Sequence, residues 1–167
     1  MDNNSVFNHL KNILLLPVNV TIVIPFLLHR SKFNSKITND HVIFTILGCI
    51  LILIGVTLLL YTIFLFRTKG KGTLAPWNPT RKLVISGPYR YMRNPMITGV
   101  LTILAGEALY FNSIAILIWG MLFFMISTVY FQFMEEPKLE RRFGNDYTDY
   151  KDNVPRWIPK RKPYFME

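Results

Sequence analysis

The segment Gly87-Pro88-Tyr89-Arg90-Tyr91-Met92-Arg93-Asn94-Pro95 sets arginines, tyrosines and an asparagine in front of a proline that opens a long apolar stretch. Proline disfavours helical backbone in the residue before it, so Asn94 marks a helix entrance where Arg93 and Asn94 are presented. The first N–H groups of a helix lack intrahelical partners and carry partial positive charge, which suits an anionic group such as a carboxylate. In the blander reading the same residues anchor a loop at lipid headgroups. A second cluster, Glu135-Glu136-Pro137, follows the last apolar stretch. Adjacent side chains leave a helix about 100° apart, so these acids are not a paired acid/base site. One can face the interior and receive a cation or a hydroxyl pair; otherwise both are solvated beside Arg141 or Arg142. A third cluster runs from Leu139 to Pro159, where Leu139, Phe143, Tyr147 and Tyr150 recur at helical spacing. That stripe reads as an amphipathic stretch lying on a membrane or on a helix bundle. Gly144 should interrupt it, Asn145 or Asp146 should cap a new turn, and Val154-Pro155 should end it. Arg156, Trp157 and Pro159 then form a rigid basic segment.

Other chemistry is excluded. His9, His29 and His41 are scattered, and Cys49 is the single cysteine, so neither a metal site nor a disulfide framework is expected. There is no nucleotide-binding glycine fingerprint; Gly70-Lys71-Gly72 is a short turn.

The elements that must position these clusters are apolar. The 167 residues fit one domain, 1–167; 51% are hydrophobic and 17% charged, with 19 Lys+Arg against 10 Asp+Glu. Such hydrophobicity excludes a disordered chain. The net charge of +9 would fit nucleic acid, but a mean hydropathy of +0.28 with 13 Phe does not, so no nucleic-acid partner is expected. Val42 to Phe66 carries no charge and is long enough to span a bilayer, with Gly48 and Gly55 offering small surfaces for packing against a neighbouring helix or a second chain. Pro95 to Met134 carries only Glu107 and is too long for one span. It should break near Glu107 to Ser113, with Glu107 a loop or interfacial acid. Ile13 to Leu28, with Pro17 and Pro25 inside it, reads as a kinked first span rather than a signal peptide. The expectation is an all-α integral membrane bundle of about four spans (13–29, 42–66, 95–110 and 113–134), with a loop at 67–94 and an amphipathic C-terminal segment at 135–167. Arg67 to Arg93 holds seven Lys/Arg and Lys138 to Lys162 holds eight, while Glu107 to Ser113 holds none. The positive-inside rule then makes the basic regions and both termini cytoplasmic, in a bacterial inner membrane or, in a eukaryote, the endoplasmic reticulum.

In order and spacing, Gly87-Pro88-Tyr89, Arg93-Asn94-Pro95, Glu135-Glu136, Phe143-Gly144, Tyr147, Tyr150 and Val154-Pro155-Arg156 resemble the isoprenylcysteine carboxyl methyltransferase family, which is related to the phospholipid N-methyltransferases. The resemblance covers Thr68 to Lys160. It implies an all-helical membrane enzyme that binds S-adenosylmethionine at the cytoplasmic ends of its last two spans, with a lipidic or prenylated substrate entering from the bilayer. Carried over by position, Tyr89, Tyr91, Arg93, Asn94, Pro95, Gly99, Glu135, Glu136, Tyr147 and Tyr150 would bind the cofactor, with Arg156 closing the site from the tail. Asn94 stands where many members have His, and Ile97 where many have Tyr.

Two acceptors are compatible with these residues. A carboxylate is already ionised and needs only positioning, for which Arg93 or Arg156 can form a charge-assisted pair. An amine must first lose a proton, for which Glu135 or Glu136 can serve as base. Arg93, Glu136 and Arg156 are the expected catalytic residues. The alternatives are a phospholipid or other small-lipid N-methyltransferase and a non-enzymatic membrane protein whose basic loops hold anionic lipid.

Overall fold

The computed structural model describes residues 17–32, 35–37, 42–69 and 83–166. Ile13 to Leu16, Leu74, Trp77, the Gly70-Lys71-Gly72 turn, His9 and His41 lie outside them. Among the described residues every regular element is helical: α1 Asn19–His29, α2 Val42–Lys69, a single 3₁₀ turn Gly87–Arg90, α3 Pro95–Tyr110, α4 Ile114–Phe143 and α5 Asn145–Asn153.

Two of these, α2 and α4, are long and apolar enough to cross a membrane; α1 and α3 are shorter apolar helices. A core helix of a water-soluble domain would be mostly buried, whereas only 11% and 17% of the most apolar windows of α2 and α4 are. Ile43, Leu53, Phe64, Ile118 and Val129 point outward, a larger continuous apolar surface than water tolerates on a monomer.

Glycine sets the closest helix contact. Gly48 and Gly55 of α2 oppose Gly106 and Gly99 of α3, antiparallel and seven residues apart on both helices. A Cβ on Gly48 would lie 2.7 Å from the Gly106 carbonyl oxygen, and one on Gly55 2.7 Å from that of Gly99. The small surfaces of α2 are therefore used within the chain. Gly99, placed at the cofactor by the resemblance, lies in this seam: a Cβ there would meet Gly55 O at 3.1 Å and Leu59 N at 3.2 Å.

Beside this seam, Val20, Leu59, Val100, Ile103 and Leu104 form the main core, with Ile63, Met96, Trp119 and Phe123 against it. The first helix joins the core through a wide π turn at Asn19–Val23, closed by Ile24 N–H donating to the Asn19 carbonyl. The cause is Pro25, which has no N–H and whose ring crowds the carbonyl four residues back. Trp119 of α4 donates its indole N–H to Val20 O at 3.1 Å inside that turn.

Proline does the same in α4. The π turn Phe131–Glu135 stands two residues ahead of Pro137, and Glu136 N–H reaches back to Phe131 O. The helix runs on past Met134, the expected end of the last span, to Phe143. Its 30 residues make it about 45 Å long, more than a bilayer core of about 30 Å, so its C-terminal turns project beyond an apolar layer. Gly144 ends it with φ 56°, a conformation open to glycine, and itself takes the cap position; neither Asn145 nor Asp146 caps. Val154 ends α5, as expected.

The turn between α3 and α4 is Phe111 to Ser113, and Glu107 lies within α3 rather than in a loop. Ser113 caps α4, accepting from Ile116 N–H. The far segment is held there by Ile37 N–H donating to Asn112 Oδ1 (2.9 Å) and Ile114 N–H donating to Ser35 O (3.0 Å).

Candidate functional site

At the opposite end of α3 the three sequence clusters converge. Arg93 precedes α3, Glu136 follows the π turn of α4, and Arg156 lies beyond α5. Arg93 Nη1 donates to Glu136 Oε1 at 2.7 Å; Arg156 Nε donates to the same oxygen at 2.8 Å and its Nη2 to Oε2 at 3.0 Å. The Glu136 side chain is 4% exposed, Arg93 10% and Arg156 18%. Removing this carboxylate would strand both guanidinium groups in a poorly hydrated site. Lys151 of α5 adds a third cation, 3.9 Å from Glu136 Oε2 and 2.6 Å from Glu140 Oε1. Three cations thus face two carboxylates, which leaves a positive surplus.

The main chain fixes this arrangement. Arg93 N–H donates to Pro155 O (2.9 Å) and Asn94 N–H to Arg156 O (3.2 Å), so the entrance to α3 and the C-terminal segment are tied directly behind the arginines. Tyr150 O–H donates to Tyr89 O at 2.6 Å, and Tyr147 is hydrogen-bonded to the Arg93 guanidinium. Tyr147, Tyr150 and Val154 form a second buried cluster with Leu83, Ile85, Leu139, Phe143 and Tyr164. The predicted aromatic stripe therefore packs on the chain itself.

Burial, reinforced by the Glu136 charge and opposed by Arg93, pushes the Tyr147 phenol up to about 12; burial also raises Tyr150 and Tyr89. A phenol with a raised pKa binds more protons in the folded state than in the unfolded one. Its stabilisation is complete below an unfolded value near 10 and is lost as pH rises through the folded value. Thermal unfolding in detergent is expected to fall between pH 10 and 12, and less steeply in Tyr147→Phe. An equal slope in the variant would remove Tyr147 from that account.

Several donors in this region are buried and lack a partner among the described residues: Arg93 Nε, Asn94 Nδ2, Trp157 Nε1 and Arg90 Nε. Buried donors are normally satisfied, so this group fits a ligand rich in acceptors. S-adenosylmethionine offers a carboxylate, ribose hydroxyls and ring nitrogens, and the residues present fit it on that ground. Asn94 occupies the N-cap of α3 but makes no capping bond, which leaves its amide for such a ligand.

The other expected site residues spread out. Pro95 is buried at the first position of α3 and Tyr89 is buried against Phe66, with ring centroids 5.2 Å apart. Tyr91 is exposed, and its carbonyl accepts from Lys160 N–H. Glu135 turns away from the arginines and accepts from Tyr130 O–H at 3.3 Å. Neither Arg141 nor Arg142 is the ion-pair partner of Glu136. Ile97 lies in the first turn of α3.

The sequence places Trp157 beside Arg156 in a rigid basic segment but does not single out Lys151, Glu140 or Gln132. Gln132 accepts from Arg156 at 3.4 Å. Gln132, Glu136 and Glu140 recur every four residues, which is a readable polar stripe. Nothing in the spacing points to Lys151.

An apolar groove of about 460 Å³ runs between α3 and α4, lined by Leu101, Leu104, Ala105, Gly120, Met121 and Phe124 among others. At one end Phe124 meets Trp157, ring centroids 5.3 Å apart. The groove is thus joined to the segment that carries Arg156.

A family model described as phospholipid methyltransferase matches residues 43–146, well over half of the chain. A search of the curated proteins returns no match.

Proposed function

Since the chain belongs to the phospholipid methyltransferase family, we propose that it transfers a methyl group from S-adenosylmethionine to the carboxylate of a prenylcysteine-like lipid that enters sideways from the bilayer. The observation that carries this reading is the Arg93–Glu136–Arg156 cluster, with its surplus positive charge and unpartnered buried donors, near the apolar groove between α3 and α4. The topology that goes with it has α1 to α4 as four spans, with the cluster and both termini on the cytoplasmic side.

When bound, S-adenosylmethionine would supply an electrophilic methyl on a sulfonium, with the thioether as leaving group and the acceptor carboxylate, already ionised, as nucleophile. No proton is released and no base is needed. The residues of this chain act by holding and drying the reactants. Arg93, Asn94 and Trp157 bind acceptor groups through their unpartnered N–H donors, Arg156 orients the acceptor carboxylate, and Glu136 fixes both guanidinium groups in place. The contacts of Glu136 with Arg93, Arg156 and Lys151 suit this anchoring role better than that of a base.

A second reading, N-methylation of a phospholipid amine, is favoured by the matched family description and by Glu135, which stays outside the arginine pair and remains available as a base. Methyl-labelled S-adenosylmethionine, farnesylated N-acetylcysteine and phosphatidylethanolamine separate the two. We expect label on the prenylcysteine that alkali releases as methanol, and its loss in Arg156→Ala with the protein still folded. Alkali-stable label in the phospholipid would replace the first reading with the second. Failure to bind S-adenosylmethionine would remove both.

A further inference from the structure

The segment after Trp157 takes no part in the chemistry above, yet it combines features that rarely coexist on a surface facing only water. Ile158 is 77% exposed, Phe165 61% and Met166 42%, and Lys160-Arg161-Lys162 lies between them, bracketed by Pro159 and Pro163. The segment is nevertheless held in place. Lys160 N–H donates to Tyr91 O and Tyr164 N–H to Arg90 O, both at 3.0 Å. The Arg90 guanidinium lies over the Phe165 ring at 4.4 Å, and Tyr164 O–H donates to Asp149. Trp157 anchors the near end against Phe124 and Phe131 of α4. Phe124 also lines the apolar groove, so Trp157 joins this segment to the groove.

We infer that Ile158 to Met166 is a docking strap for an anionic bilayer surface, with Ile158, Phe165 and Met166 entering the headgroup boundary and Arg161 and Lys162 meeting lipid phosphates. Charge complementarity selects this occupant: exposed apolar side chains interleaved with cations, continuous with membrane-embedded helices, match the pattern of interfacial segments. The inference rests on the membrane topology proposed above, though not on the identity of the methyl acceptor. Because the strap is bonded through its backbone to Arg90 and Tyr91, its docked position is transmitted to the turn that carries Arg93 and Asn94. Lipid charge therefore becomes an input to the site.

The test uses the full chain, with Cys49→Ala and Met166→Cys carrying a polarity-sensitive fluorophore, reconstituted in phosphatidylcholine vesicles with and without phosphatidylglycerol. Emission should shift to the blue only with phosphatidylglycerol, and high salt should reverse the shift because exposed charges are screened. Arg161→Gln with Lys162→Gln should lower the docked-to-undocked ratio about 30-fold, two charges being removed from the surface. Emission that is the same in both vesicle types overturns the inference, as does a shift that salt and the double variant leave unchanged. The latter result would mean apolar contact alone, and an acidic protein partner would likewise be indifferent to lipid charge. A chain that alkaline carbonate extracts from the vesicles would overturn the membrane topology itself, a failure distinguishable from the other two.

Discussion

Replacing Glu136 with alanine is expected to abolish methyl transfer and to destabilise the protein by about 3–5 kcal/mol, the cost of leaving buried charges without their counter-ion. The size follows from the position of Glu136. It is the shared acceptor of two guanidinium groups from different parts of the chain, and its side chain is 4% exposed. Without it, Arg93 and Arg156 repel each other where water cannot screen them. The repulsion acts across the two backbone bonds that tie Arg93 and Asn94 to Pro155 and Arg156. Thermal unfolding in detergent reads the stability, and calorimetric titration with S-adenosylmethionine reads the site. Glu136→Gln keeps the volume and one acceptor, so it should stay folded more readily and still lose most activity. Glu135→Gln should leave stability nearly unchanged, since its partner Tyr130 is a weak, partly exposed one. If Glu136→Ala unfolded like the parent and bound the cofactor equally well, the cluster would be a surface ion pair and the site would have to be sought elsewhere.

The second large effect is expected in the glycine seam. Gly48→Ala and Gly55→Ala each put a methyl 2.7 Å from a backbone carbonyl oxygen on α3, which no rotamer change can relieve. The helices must part, at about 1–3 kcal/mol per site, and the two sites are far enough apart for the losses to add approximately. Parting them also disturbs α3, whose first residues carry the site, so turnover should fall along with stability. Gly120→Ala is the control. Its Cβ would meet Leu104 Cβ at 3.5 Å, an ordinary contact, and alanine is the better helix former, so that variant should be neutral or stabilised. Equal behaviour of all three would mean that α2 and α3 do not pack as closely as described.

Much of this was legible in the chain because its signals are local. The uncharged run of α2, the lone charge between Pro95 and Met134, the helix entrance at Asn94-Pro95 and the interruption at Gly144 are properties of neighbouring residues in one solvent. The rest has a physical reason too. The last apolar stretch ends at Met134, yet a π turn absorbs the missing N–H of Pro137 and lets α4 run on to Phe143. That extra residue per turn shifts the face on which each glutamate emerges, so counting at 3.6 residues could not say which of Glu135 and Glu136 turns inward. Gly99 fits a family pattern at the cofactor, and only the packing shows that it also lies against Gly55 and Leu59 of α2.

By itself the sequence determined an all-helical chain with helices apolar enough for a membrane, the family to which it belongs, and three polar clusters near the ends of apolar stretches. Each of these depends on composition or short-range spacing, which folding does not alter. Only the tertiary structure decided that Arg93 and Arg156 meet on one carboxylate, that Lys151 joins them, and that Asn94 and Trp157 have buried donors without a partner among the described residues. Those relations link residues far apart in the chain and are set by how the helices pack, so no local rule carries them.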